Sequence, residues 1–228
     1  MRNDEQAHVV TQPAREMPVK PASPLASRVL GPGDYRLMPW KNGLGTTTEI
    51  AIHPADADLA GQPFDWRVSM ADVSADGEFS RFPGYDRSIL LAEGAGMELD
   101  FDAAPTVRLA YRGAMTAFSG DWQTRCRLLE GPVRDFNVMT ARDRMQQHCL
   151  ALGGAPVEFI WEPPLETLLF YCIRGTLVLK MRNLAEWNLE PDQCLLIPAG
   201  QPEPRRINLM VIPHTRDTLA VAVRLNSV

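Results

Sequence analysis

The sequence predicts an all-β protein of the sandwich or barrel type, with two similar halves and little helix. A strand-like run and a turn recur about every ten residues, which is typical of such folds. Long amphipathic helical patterns are scarce among the 228 residues. Two Gly-centred segments also repeat, because residues 90–94 resemble residues 170–175 and residues 118–120 resemble residues 198–200. The offsets are 81 residues (94 to 175) and 80 residues (120 to 200), which indicates an internal duplication.

Composition and charge narrow the classes of partner. The chain is 45% hydrophobic and 22% charged, which is ordinary for a globular protein, and its formal net charge is -5. An acidic chain has no general attraction for phosphate backbones or anionic lipid, so we expect neither nucleic acid nor a membrane as partner. The sequence lacks the apolar region of a secretory signal and an apolar run of about 18 residues, the length of a membrane span. We therefore expect a cytoplasmic protein, and the oligomeric state, a homodimer included, stays open.

Turns and apolar runs divide the chain into three segments. Residues 1–27 are polar, contain four Pro and show no hydrophobic periodicity, which predicts a disordered or extended leader. Residues 28–150 form the first expected β unit, which carries the main candidate pocket. Residues 151–228 form the second unit, in which two apolar runs flank a short turn at Gly175, as in a hairpin.

Alternation of apolar and polar residues assigns side chains to the two faces of the expected strands. Arg67 and Ser69 share one face of a strand whose apolar side chains share the other. In a later strand, Asp135, Asn137 and Met139 lie opposite two apolar side chains. An earlier strand is predicted where β-branched residues are dense. Strict alternation places its Thr47 and Glu49 opposite a set of four, namely Thr46, Thr48, Ile50 and Ile52.

Motif spacing argues against several kinds of site. The segment Asn-Gly-Leu-Gly-Thr-Thr at residues 42–47 lacks the residue order and the following helix of a nucleotide phosphate loop. The four His residues, at positions 8, 53, 148 and 214, form no closely spaced pair, so no metal site is expected. The four Cys form no Cys-x-x-Cys pair, and apolar surroundings predict unreactive thiols at Cys149, Cys172 and Cys194. No nucleophile elbow is present, and no cofactor is expected.

A group of cationic and amide side chains remains as the candidate site. Lys41 and Asn42 lie on a Gly-rich turn, and Arg67 and Arg87 lie on or beside strands of the same unit. If the face of Arg67 lines a barrel mouth, these cations form an anion-accepting pocket, since Arg pairs well with a carboxylate outside bulk water. The alternative is a solvated outer face that carries ordinary surface Arg residues. The pattern alone leaves both open.

Four long motifs resemble the HutD/Ves family. They are Met-Pro-Trp-Lys-Asn-Gly-Leu-Gly-Thr-Thr-Thr-Glu-Ile at residues 38–50, Phe-Asp-Trp-Arg-Val-Ser-Met-Ala at 64–71, Asp-Gly-Glu-Phe-Ser-Arg-Phe-Pro-Gly-Tyr-Asp-Arg at 76–87, and Gly-Pro-Val-Arg-Asp-Phe-Asn-Val-Met at 131–139. The likeness runs from residue 28 to the C-terminus and is loose after Ala141. Leu44 departs from the family's Asn-Gly-Gly-Gly pattern, which puts the shape of the turn beside Lys41 in question.

The resemblance implies a bicupin, with two cupin-like β-barrel halves and without the metal ligands typical of other cupins. It also implies a modulator of bacterial histidine utilisation that binds an anionic intermediate such as N-formylglutamate or urocanate. We assign carboxylate pairing to the two Arg, hydrogen bonding to Lys41 and the two Asn, and an apolar wall to Trp40 and Met139. The predicted ligand-binding set is Trp40, Lys41, Asn42, Thr46, Glu49, Arg67, Ser69, Arg87, Asn137 and Met139.

Binding is favoured over catalysis, and no catalytic residue is assigned. The rival hypothesis is a cupin enzyme, isomerase-like or hydrolytic, that uses Glu49 or Asp135 as general base. A third hypothesis is an interaction module that acts through protein contacts, which a pocket filled by side chains would favour.

Overall fold

In the part of the chain that the structure describes, β-strands are the main secondary structure. A computed structural model describes residues 26–40, 42–59, 63–161, 166–181, 185–200 and 207–228. Within those ranges the chain forms nineteen strands and one 3-10 turn at Pro32–Asp34, so the predicted all-β class is confirmed. No helix in the same ranges is long and apolar enough to cross a membrane. The leader predicted at residues 1–27 lies outside the described residues, except for its last two.

Two antiparallel sheets build the first unit. Sheet I contains, in spatial order, β2 (Arg36–Pro39), β3 (Gly45–His53), β4 (Trp66–Val73), β11 (Val133–Ala141), β6 (Tyr85–Glu93) and β9 (Met115–Ser119). Sheet II contains β5 (Gly77–Phe79), β10 (Thr124–Leu128), β7 (Met97–Phe101) and β8 (Val107–Leu109).

Two more antiparallel sheets build the second unit. Sheet III contains β1 (Arg28–Leu30), β17 (Cys194–Ile197), β14 (Glu166–Arg174), β19 (Leu219–Ser227) and β12 (Met145–Leu152). Sheet IV contains β13 (Val157–Trp161), β18 (Ile207–Pro213), β15 (Leu177–Met181) and β16 (Ala185–Leu189).

The two units repeat one topology. The order β4-β11-β6-β9 of sheet I matches β12-β19-β14-β17 of sheet III, and sheets II and IV match strand for strand. The repeated glycines Gly94 and Gly175 directly follow the equivalent strands β6 and β14. Both have positive φ, 101° and 72°, a conformation that residues with a side chain rarely adopt, so the turn itself requires Gly there. The predicted bicupin architecture with an internal duplication is confirmed.

Two strands of the expected first segment pair with the second unit. β1 is hydrogen-bonded to β17, and β12 is hydrogen-bonded to β19, so both belong to sheet III. The boundary expected after residue 150 therefore falls within β12, and the strand that begins at Arg28 completes the edge of the other unit. A local pattern predicts that a strand exists, but the choice of edge depends on backbone groups far away in sequence.

Each unit has an apolar interior, and a third apolar layer joins the two. Leu91 and Cys126 belong to the interior of the first unit, and Phe170 belongs to that of the second. The joining layer packs the outer face of sheet I, with Phe136, against sheet III, with Tyr171, whose ring centre lies 5.4 Å from that of Phe136. Because this layer covers the outer face of sheet I, the inner face of sheet I borders the interior of the barrel.

One predicted alternation is wrong. The register of β3 against β4 shifts between Glu49 and Ala51, which makes Ile50 an extra residue in a β-bulge. Ile50 packs in the layer between the units, whereas Ile52 packs beside Met139 in a separate cluster of the first unit. Strict alternation placed both Ile on one face. The bulge separates them because one inserted residue reverses the facing of every residue after it.

Candidate functional site

The inner face of sheet I carries the polar residues predicted for a site. On β11, Asp135, Asn137 and Met139 line an interior cavity, while Phe136 and Val138 pack in the layer between the units. On β4, the side chains of Arg67 and Ser69 reach the same cavity, and the intervening apolar ones pack in that layer. The faces predicted for both strands are confirmed.

The antiparallel register brings the two Arg side chains together. Met139 of β11 is paired with Arg67 of β4 on one side and with Arg87 of β6 on the other. Side chains directly opposite each other on adjacent strands point to the same face, so both Arg point into the barrel. Their exposed fractions are 3% and 4%, so the solvated outer face considered as the alternative does not hold for them.

A cavity of about 480 Å³ lies inside the first unit. This volume is within the range of pockets that hold small metabolites. Its polar lining includes Arg67, Ser69, Arg87, Asp135 and Asn137, and its apolar lining includes Trp40, Phe79, Phe82 and Met139. The combination of an apolar wall with a few convergent polar groups is typical of a ligand site.

A buried ion pair orients Arg67. Its Nε donates to Oε2 of Glu49 at 2.7 Å, and the two side chains are 3% and 9% exposed. β3 delivers Glu49 to this position because Glu49 is paired in register with Ser69, two residues along β4 from Arg67. Nη2 of Arg67 has no hydrogen-bond partner among the described residues. The pair therefore holds the guanidinium in place and leaves one of its donor nitrogens open.

Aromatic rings surround Arg87, which also keeps an open donor. Its Nη1 donates to the backbone oxygen of Ser80 at 3.2 Å, while its Nε has no partner within the described part of the chain. Burial lowers the pKa of Arg87 to about 10; the negative charge of Asp135 opposes this shift and the positive charge of Arg67 adds to it. The guanidinium carbon lies 4.9 to 5.7 Å from three ring centres, those of Phe79, Phe82 and Phe118.

Two further side chains of β11 have polar atoms without partners. Asp135 is 1% exposed, and neither of its carboxylate oxygens accepts a hydrogen bond from the described residues. Oδ1 of Asn137 is also unpaired there. Burial raises the pKa of Asp135 to about 7; Arg87 opposes this shift and Asp72 adds to it. Buried polar atoms without partners are rare in proteins, and their concentration at one cavity makes this cavity the candidate ligand site.

The turn after β2 forms one wall of the cavity. Nε1 of Trp40 donates to Oγ1 of Thr47 at 2.8 Å, and the Trp40 ring meets the Phe79 ring edge-on with centres 6.4 Å apart. Oδ1 of Asn42 accepts the backbone N–H of Leu44 at 3.1 Å, a local bond typical of turns. The turn thus closes with Leu44 in the place where the family pattern has Gly.

Most of the predicted residues meet at this cavity, two described ones do not line it, and one lies outside the described residues. Glu49 is one contact removed, because it bonds to Arg67. Thr46 does not line the cavity, whereas its neighbour Thr47 does, since successive residues of a strand face opposite sides. Lys41 lies outside the described residues. The seven that line the cavity are Trp40, Asn42, Arg67, Ser69, Arg87, Asn137 and Met139.

Some lining residues were missing from the predicted set. Asp135 shares a predicted face with Asn137 and Met139, so the same alternation indicates it, although the only role that the sequence assigns to it is that of general base in the rival hypothesis. Phe79 and Phe82 lie within the motif at residues 76–87. Nothing local indicates that this segment, which includes a strand of sheet II, contributes to the same cavity as sheet I.

The positions of the second unit that correspond to Arg87, Asp135 and Asn137 are apolar. β14 and β19 take the places of β6 and β11, and the 81-residue offset places Leu168 where the first unit has Arg87. The pairing of β19 with β14 then places Ala220 and Ala222 at the positions that Asp135 and Asn137 occupy on β11. These three residues belong to the apolar cluster of that interior. Arg87, Asp135 and Asn137 therefore have no polar counterpart in the second unit.

The described residues offer no group of three or more His, Cys, Asp or Glu side chains that could hold a metal ion. The four Cys are free thiols. Cys126, Cys172 and Cys194 are buried and Cys149 is half-buried. Burial raises the pKa of each to about 12, so they stay protonated at neutral pH and unreactive.

A match to a family model identifies the family. The model described as HutD matches residues 33–214. The chain belongs to the HutD family. It is 45% identical over 111 residues to the uncharacterized 21.2 kDa protein in hutC 3'region of Pseudomonas putida. This match covers 49% of this chain and 56% of that protein. It is 42% identical over 115 residues to protein Ves of Citrobacter koseri, covering 49% and 58% respectively. The chain thus spans just over half the length of these curated relatives.

The fold agrees with that of a solved HutD structure. The structure of HutD from Pseudomonas fluorescens superposes on this HutD-family chain with a TM-score of 0.73 and 30% identity. The match covers 89% of this chain and 100% of that one. The resemblance to the HutD/Ves family read from the four motifs is confirmed.

Proposed function

We propose that this HutD-family protein binds a small anionic metabolite in the cavity of its first unit, with a ligand carboxylate held by Arg67 and Arg87. The observation that carries the proposal is the pair of buried guanidinium groups, each with an open donor nitrogen, on strands that flank β11. A buried cation that lacks partners is unfavourable, so an anion that accepts these bonds stabilises the site. Charge-assisted bonds from Arg to a carboxylate are among the strongest available.

The charges of the cavity support an anionic ligand. Glu49 offsets the charge of Arg67 through its ion pair. Arg87 has no comparable partner, since the carboxylate of Asp135 makes no hydrogen bond within the described residues and its pKa of about 7 leaves it partly protonated at neutral pH. The buried side chains of the lining therefore carry an excess of positive charge, and the remaining carboxylate of the lining, that of Glu78, is exposed to solvent.

Family membership supports a narrower form of the proposal. The matched family is HutD, and the P. putida relative is described by its place in a hutC 3' region. We propose a cytoplasmic modulator of histidine utilisation whose ligand is a pathway intermediate such as N-formylglutamate or urocanate. Both compounds carry a carboxylate at neutral pH, as pairing with Arg67 and Arg87 requires.

Isothermal titration calorimetry with N-formylglutamate and urocanate tests the proposal. We expect heat of binding with at least one of them, and loss of that heat in Arg87→Met. Arg125→Met is the matched control, because Arg125 is exposed on β10 and does not line the cavity. A folded wild-type protein that binds neither compound would overturn the ligand assignment.

A second candidate function is catalysis with Asp135 as general base. Its unpaired carboxylate lies in the cavity, and a pKa of about 7 is suited to proton transfer at neutral pH. Glu49 fits this role less well, because its Oε2 already accepts from Arg67. NMR spectroscopy of a bound intermediate over time tests for turnover. Conversion by the wild type, lost in Asp135→Asn with binding retained, supports an enzyme, and an unchanged bound ligand contradicts it.

A further inference from the structure

Asp135 lies in the cavity with a carboxylate that no described residue binds. We infer that the ligand is bipolar: besides the carboxylate held by Arg67 and Arg87, it carries an N–H or O–H group that donates to Asp135. This inference rests on the proposed function, because it adds a second point of recognition to the same site.

The strands leave Asp135 without a donor. The residues paired with it across sheet I are Ala71 on β4 and Leu91 on β6, and neither has a polar side-chain atom. Arg87 is near enough to influence the pKa of Asp135, yet no hydrogen bond joins the two side chains. The carboxylate is therefore not consumed by an ion pair, and its two oxygens remain available to whatever enters the cavity.

A second open acceptor lies on the same strand. Asn137 is two residues from Asp135 on β11, faces the same cavity, is 6% exposed and has an unpaired Oδ1. The unpaired hydrogen-bond acceptors and donors of the cavity therefore lie at different positions along β11. Acceptors occur at Asp135 and Asn137, and donors occur in the row of Met139, where the two Arg side chains begin.

This separation determines which ligands fit. An ionised carboxylate can only accept hydrogen bonds, so a second ligand carboxylate at Asp135 would be repelled. An N–H or O–H group there would satisfy an acceptor that is otherwise buried without a partner, which removes a desolvation penalty. N-acylated amino acids, hydroxy acids and N–H heterocycles with an acid side arm belong to this class, whereas simple fatty acids and keto acids do not.

Matched pairs of small acids test the inference by calorimetry. N-acetylglycine, N-acetyl-β-alanine and N-acetyl-γ-aminobutyrate scan the spacing between the carboxylate and the N–H. Each has a partner oxo acid in which a methylene group replaces the N–H, with the same length, carboxylate and carbonyl. In alkaline buffer, where Asp135 is ionised, we expect at least one N-acetyl compound to bind about tenfold or more tightly than its partner.

Variants separate this recognition from general effects on the protein. Asp135→Leu should lose the preference and still bind the oxo acids; if it does not fold, Asp135→Asn should reduce the preference because the acceptor loses its charge. Asp143→Asn is the matched control, because the side chain of Asp143 is 76% exposed and does not line the cavity. The control should keep the preference.

Two results overturn the inference and leave the proposed function intact. One is equal binding of both members of all three pairs by the wild type. The other is a preference that survives in Asp135→Leu. If none of the six acids binds, the proposed function is overturned together with the inference.

Discussion

Arg67 and Arg87 flank Met139 on the two strands adjacent to β11, and both point into the first barrel. One buried carboxylate, that of Glu49, is bonded to Arg67, and no described carboxylate is bonded to Arg87. The repulsion between the two cations adds to the effect of burial in lowering the pKa of Arg87. Such an arrangement is costly in an empty cavity and favourable once an anion is bound, which supports the proposed role of the cavity in anion binding.

Arg87→Lys should weaken carboxylate binding although the positive charge is retained. Lys cannot reproduce the planar fork of Arg, and it interacts less well with the faces of the surrounding Phe rings. We expect an affinity about tenfold lower in calorimetry with the best-binding acid. The matched control is Arg125→Lys on the exposed face of β10, which should bind like the wild type. Equal affinities for both variants would mean that charge alone attracts the ligand.

The Glu49–Arg67 ion pair should show strong coupling in a double-mutant cycle. Arg67→Met leaves the carboxylate of Glu49 buried without its partner, and we expect a loss of about 3–5 kcal/mol in the free energy of unfolding. The double variant Glu49→Leu/Arg67→Met should recover most of this loss, since no buried charge remains. Urea unfolding of the wild type, both single variants and the double variant measures the coupling.

An exposed ion pair supplies the control for that cycle. Nζ of Lys180 lies 3.2 Å from Oε2 of Glu186, and the side chains are 49% and 50% exposed. Lys180→Met and Glu186→Leu should show a coupling below about 1 kcal/mol. Additive losses at the buried pair, similar to those of the exposed pair, would contradict the role assigned to Glu49.

Asp135→Asn should stabilise the protein in a pH-dependent manner. Burial raises the pKa of Asp135 from 3.8 to about 7, with Arg87 opposing and Asp72 adding to the shift. Between these values the folded state holds a proton that the unfolded state has released, so the wild type loses stability as pH rises, and the loss is complete above pH 7. It amounts to about 4 kcal/mol at most, at ~1.4 kcal/mol per pKa unit.

The comparison of Asp135→Asn with the wild type isolates the titration of Asp135, because all other titratable groups are the same in both proteins. The difference in the free energy of unfolding should grow in favour of Asp135→Asn from pH 4 to pH 7 and then stay constant, as followed by urea unfolding at several pH values. A difference that does not vary with pH would show that Asp135 is ionised in the folded protein throughout this range.

Gly45→Ala should disturb the cavity wall. A Cβ at this position would clash with the backbone oxygen of Asp72 and lie 2.9 Å from Cε3 of Trp40, so the backbone or the indole has to move. We expect a loss of about 1–3 kcal/mol in the free energy of unfolding, together with weaker ligand binding. Gly33→Ala is the control, because nothing lies within 4 Å of its Cβ position. Unchanged stability and binding in Gly45→Ala would contradict the close contact.

The sequence alone predicted the features that depend on local pattern. Alternation along β4 and β11 correctly assigned Arg67 and Asn137 to the same kind of face, because successive side chains of any extended strand point in opposite directions. The spacing of Gly94 and Gly175 predicted the duplication, because a turn that requires positive φ requires Gly wherever it recurs.

Only the tertiary structure decided which segments meet. Local alternation did not reveal the bulge at Ile50, the pairing of β1 with β17, or the single row that joins Arg67 to Arg87 through Met139. Strand register and the choice of partner edge arise from hydrogen bonds between segments far apart in the chain, and from the apolar surface that both units bury together. For the same reason, Phe79 of sheet II became a neighbour of Arg87 only when the barrel closed.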